Sequence, residues 1–109
     1  MAVTEIRFKL MPAVVKIINE SQDINYDLAK ALIFVTNRGI HIYVDSFDGP
    51  VEEFQSPLLD IEGNNKTGWT ATTDDGYTIS FSRSQGCLCG SRLKSFDPFR
   101  GVPYTNTLY

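Results

Sequence analysis

The chain predicts a mainly β domain: a small antiparallel sandwich or a partly open barrel with two hairpins and minor helix. Three observations lead there. Apolar residues alternate with polar ones at period two in several short stretches. Two of these alternations flank turns that end in glycine, at Asn37–Gly39 and Thr73–Gly76. Proline and glycine breaks also recur too closely to leave room for long helices. At 109 residues, 42% hydrophobic and 12% aromatic, the chain is one domain with enough apolar surface for a core without disulfide staples.

Ile6, Phe8 and Leu10 alternate with Arg7 and Lys9, the mark of a half-buried strand. Pro12 interrupts, and Ala13–Ile18 carries four β-branched residues in six, which favours a strand. A helical turn opening at Pro12 is the alternative. Ser21–Asn25 reads as a polar turn and Tyr26–Lys30 as a short helical turn. Ala31–Thr36 and Ile40–Asp45 then form a hairpin around Asn37-Arg38-Gly39, where glycine supplies a positive φ. Ile40, Ile42 and Val44 share one face, leaving His41 and Tyr43 on the other.

Phe47-Asp48-Gly49-Pro50 is a turn, Val51–Gln55 a strand and Ser56-Pro57 a break. Leu58–Ile61 is a short apolar run ahead of a polar loop, Glu62–Thr67. Gly68–Thr72 and Tyr77–Arg83 form the second hairpin, with Trp69 and Ala71 on the face of Tyr77, Ile79 and Phe81. Residues 1–94 make up the β domain. Residues 95–109 are an extended aromatic tail of the same domain, broken by Pro98, Gly101 and Pro103 and docked through its Phe and Tyr rings.

Charge is unevenly placed. Net charge is −3, yet Gly39–Asn65 holds six carboxylates and no Lys or Arg. This pattern argues against nucleic-acid binding, which needs clustered cations to displace counterions. Met1–Leu10 carries Glu5, Arg7 and Lys9, so it does not read as a signal peptide, and no apolar run approaches a membrane span. A cytoplasmic protein with reduced cysteines is expected.

Both cysteines lie in Gly86-Cys87-Leu88-Cys89-Gly90. One intervening residue is a poor fit to a zinc knuckle, where two let the turn converge both sulfurs. Cys87 and Cys89 with His41 are therefore the weaker, zinc-binding alternative to structural or redox-sensitive thiols, and no cofactor is expected. A disulfide between them would close a small strained ring. His41 lacks a nucleophile and an orienting carboxylate fixed by spacing, so an exposed or edge histidine is expected. Asp74-Asp75-Gly76 is ordinary turn chemistry, and Asp45 and Asp48 complete no calcium loop. Arg92 and Lys94 beside the glycines offer an anion seat. The simpler reading is a solvated turn with Leu93 and Phe96 anchored in the core.

The segment Gly86-Cys87-Leu88-Cys89-Gly90-Ser91-Arg92-Leu93-Lys94, with Phe96 and Pro98, resembles one in small proteins of unknown function encoded by bacteriophages of actinobacteria. It covers 13 of 109 residues and brings no catalytic residue with it. The resemblance implies a viral accessory protein in a host cytoplasm, or a minor component of the particle. With no complete catalytic set, the expected function is a non-enzymatic protein-interaction module that binds another protein, a host factor or a second copy. Phe96, Phe99, Tyr104, Tyr109, Arg92 and Lys94 are its candidate contacts. A structural subunit of an assembly, its tail added to a neighbour's sheet edge, is the alternative.

Overall fold

Period-two patterning becomes nine strands among the residues that the computed structural model describes: 6–10, 12–19, 24–29, 31–64, 66–83, 93 and 96–101, with backbone alone at 6–8, 12–14, 24–29 and 83. They are β1 (Ile6–Leu10), β2 (Pro12–Asn19), β3 (Ile24–Ala29), β4 (Leu32–Thr36), β5 (Gly39–Ser46), β6 (Gly49–Ser56), β7 (Leu58–Asn64), β8 (Gly68–Thr73) and β9 (Tyr77–Arg83). No α-helix occurs among the described residues.

Every pairing is antiparallel, and the strands divide into two sheets, β1-β4-β5-β6 and β3-β2-β9-β8-β7. The inward residues of both meet in one core of Leu10, Val15, Ile17, Ile33, Val35, Ile40, Ile42, Ala71, Ile79 and Phe81. The architecture is thus a two-sheet sandwich and not a closed barrel. Burying each Ile or Phe here stabilises by about 1.5–3 kcal/mol, and the alternation that aims them inward is what fixes strand register.

Both expected hairpins form, with Thr36 opposite Gly39 and Thr72 opposite Thr78. The stretch 13–18 lies in β2, so the helical alternative at Pro12 falls. Tyr26–Lys30 is corrected as well: residues up to Ala29 belong to β3, which pairs with β2 from Asn19 opposite Ile24 to Val14 opposite Ala29. Ile24, Tyr26 and Leu28 alternate with Asn25, Asp27 and Ala29, and sheet pairing outweighs the weak helical preference of so short a stretch. Ile24 and Asn25, expected in the polar turn Ser21–Asn25, open β3, and Ser21–Asp23 lie outside the described residues; β7 runs three residues past Ile61 to Asn64.

β4 is buried on both faces throughout its length. Ile33 and Val35 enter the main core, while Leu32 and Phe34 join a second cluster with Leu93, against which Tyr43, Phe96 and Phe99 pack. The segment of Leu93 and residues 96–101 thus forms a strap over the outer face of the first sheet. The anchoring of Leu93 and Phe96 expected from sequence is what the structure shows. Lys9 secures the strap, its Nζ donating to the Phe96 carbonyl at 3.1 Å while lying 5.6 Å from the centre of the Phe34 ring.

Candidate functional site

The polar groups with the most chemical potential lie beneath this strap. Thr36 ends β4 and His41 follows on β5 across the hairpin turn, both on the outer face. Glu52 reaches that face by plain register: counting back from the turn, Ser46 pairs with Gly49 and Tyr43 with Glu52, which sets Glu52 beside Tyr43 and His41. The next residue, Glu53, is the extra one of β6, and this bulge turns Phe54 inward opposite Ile42.

Thr36 Oγ1 lies 2.8 Å from His41 Nε2, and His41 Nδ1 lies 3.1 Å from Glu52 Oε2. Thr36 Oγ1 also accepts the Arg38 amide at 3.1 Å. One tautomer satisfies all of these: Nδ1–H donates to the Glu52 carboxylate, and Nε2 accepts the Thr36 hydroxyl proton. Tyr43 hydrogen-bonds the same carboxylate. Burial holds the His41 pKa below its ordinary 6.5, with Arg38 adding to the effect and Glu52 opposing it. Burial raises the Tyr43 phenol, and its bond to Glu52 raises it further.

Hydroxyl, imidazole and carboxylate in this order reproduce the hydrogen-bond chain of a nucleophilic triad. Access decides what it can do. Thr36 is 3% exposed and His41 6%, and the Phe99 ring lies 5.2 Å from the imidazole. A cleft of about 350 Å³ opens beside the β4–β5 turn between Thr36–Gly39 and Pro57–Ile61, but neither His41 nor Glu52 lines it. That cleft therefore gives no joint approach to the hydroxyl and the imidazole. The chain acts as a clamp that joins three strands and satisfies buried polar atoms under an aromatic cover.

His41 was expected at an exposed or edge position, and this is corrected. The alternation places it on the outer face, but the strap turns that face into a second interior. Phe96 and Phe99 are half-buried there, with Tyr43 to Phe96 at 5.1 Å and Phe34 to Phe99 at 5.0 Å between ring centres. Cys87, Cys89, Arg92, Lys94, Tyr104 and Tyr109 lie outside the described residues. No group of three His, Cys, Asp or Glu side chains placed to hold a metal occurs among the described residues. The outer face of the second sheet forms a broad polar concavity with Lys16, Thr70, Ser80 and Ser82 in its walls, as a solvated sheet face would.

The residue that sequence reasoning passed over is Phe47. It sits in the two-residue turn between β5 and β6 and is 96% exposed. Turn positions of this kind favour Asn, Asp, Gly, Ser or Pro, and nothing in the fold calls for an aromatic ring there. Gly49 at φ +116 and a 2.7 Å bond from Ser46 Oγ to the Gly49 carbonyl fix the turn. Asp45, Asp48, Glu52 and Glu53 stand exposed on the same hairpin, and Val51 is partly exposed beside them. A Phe at a turn within a lysine-free acidic stretch was the available signal.

No protein-family model, curated protein or solved structure matches this chain. Among the described residues no helix is long and apolar enough to cross a membrane.

Proposed function

We propose that this protein is a non-enzymatic interaction module that docks on another protein through the tip of its β5–β6 hairpin. One observation carries the reading: a full aromatic side chain held in solvent on a fixed turn that does not need it. Exposed aromatic anchors dominate binding energy at protein interfaces, because they bury large area with few rotors to freeze. The covered state of Thr36 and His41 supports a binding role over a catalytic one. The β5–β6 pairing runs on to Ser46 opposite Gly49, past the last β4 partner of β5, Leu32 opposite Tyr43. The phage resemblance of Gly86–Pro98 makes a host cytoplasmic protein the favoured partner class.

The test is affinity capture with the full chain from an actinobacterial lysate, followed by reconstitution of each captured protein in purified form. A purified partner that binds one-to-one at micromolar affinity or better supports the proposal. If no captured protein rebinds, the proposal fails.

A further inference from the structure

Resting on that reading, we infer that the partner surface is an apolar pocket with a basic rim, which takes Phe47 as a knob. Three features of the tip point to this chemistry. Phe47 is the anchor, and Val51 lies on the same hairpin as a further partly exposed apolar side chain. On the same hairpin Asp48 and Glu53 stand exposed, with Asp45 and Glu52 adding negative charge, in a sequence span from Gly39 to Asn65 that has no Lys or Arg.

Such a field repels nucleic acid and anionic lipid headgroups, and steers the tip toward cations at a range set by ionic strength. An acidic rim around an apolar anchor also shapes specificity. It lowers the on-rate to like-charged surfaces while the ring supplies the slow off-rate. The turn needs little ordering on binding, because the Ser46–Gly49 bond already holds it. The exposed basic residues among those described, Lys16, Arg38, Lys66 and Arg100, lie far apart in sequence on separate elements. The occupant is a different protein, and a second copy is an outcome of the test.

The experiment selects a displayed library of random 12-residue peptides on the immobilised full chain, at low and at high salt. Enriched peptides are synthesised and titrated against the parent and against Phe47→Ala, Asp48→Lys and Glu53→Lys. These positions are exposed, so the variants are expected to keep the parent's melting temperature, and that is measured alongside.

The expected result is peptides with Lys or Arg flanking aromatic or aliphatic residues. Their affinity falls about 30-fold or more in Phe47→Ala, several-fold in each charge reversal, and with rising salt. Acidic or neutral enriched peptides overturn the inference. Binding unchanged in Phe47→Ala overturns it too, while leaving the interaction-module reading intact with its contact elsewhere. A dimer in sedimentation velocity that disappears in Phe47→Ala overturns it in favour of a second copy. If no enriched peptide binds the parent, the inference falls, and lysate capture decides the broader reading independently.

Discussion

Leu93→Ala should destabilise the whole domain, because the strap is part of the folded unit and not an appendage. Leu93 is fully buried and packs with Leu32 and Phe34, themselves fully buried, in a cluster separate from the main core. Removing its isopropyl group forfeits the transfer energy of three carbons and leaves a hole that rigid β4 cannot close. Comparable buried Leu→Ala changes cost about 2.7–5 kcal/mol. For a chain of this size about 3 kcal/mol lowers the melting temperature by about 10 °C or more.

The single tryptophan makes the assay selective. Trp69 packs against the main core on the second sheet, so its fluorescence follows the sandwich and not the strap. Urea unfolding of the variant should show one Trp69 transition with its midpoint lowered by about 1 M or more. Leu59→Ala, at a position 69% exposed, serves as the control and should shift the transition by no more than about 0.5 kcal/mol. A Trp69 transition unchanged in Leu93→Ala would refute the reasoning. It would mean that the strap opens below the cooperative threshold and that the second cluster does not support the first.

The pH dependence of stability should carry the mark of His41. Its folded pKa lies below 6.5, so as pH falls through 6.5 the unfolded chain takes up a proton that the folded protein refuses. The contribution is therefore complete above pH 6.5 and lost as pH drops toward the folded value. His41→Asn should flatten urea midpoints over that window while lowering stability throughout. Gly39→Val should cost about 3 kcal/mol, since Gly39 has φ +123 and a Cβ there would collide with the Ser56 carbonyl; denaturant titration reads it directly. The double change Cys87→Ser and Cys89→Ser should leave the transition within about 0.5 kcal/mol of the parent, because both described core clusters are built without thiols. Zinc released in stoichiometric amount on denaturing the parent would contradict that last expectation.

The inner face was legible because it obeys one rule. Ile40, Ile42 and Val44, or Tyr77, Ile79 and Phe81, need only alternation to declare a shared side, and glycine marks where each hairpin turns. The outer face of the first sheet breaks that rule. Ala31–Val35 is an unbroken apolar run, which already signals a strand covered on both sides. What covers it is Leu93, Phe96 and Phe99, some sixty residues later in an irregular stretch. Only long-range packing joins the two. The helical turn expected at Tyr26–Lys30 failed for a nearer reason: five residues carry too little periodicity to separate a helical turn from an edge strand.

The clamp of Thr36, His41 and Glu52 divides the same way. Counting back from the two-residue turn pairs Tyr43 with Glu52, so turn length alone sets Glu52 on the face of His41, and only the cover over that face was out of reach. The bulged residue Glu53, which turns Phe54 inward, is announced by no local composition at Val51–Gln55. Phe47 is the opposite case, since its turn context was plain and only its exposure was missing. Residues whose identity the fold explains are the ones that packing recovers. Phe47 is a residue that packing does not explain: a side chain costly to expose, set where the backbone holds it rigid, and on that mismatch the proposed docking role rests.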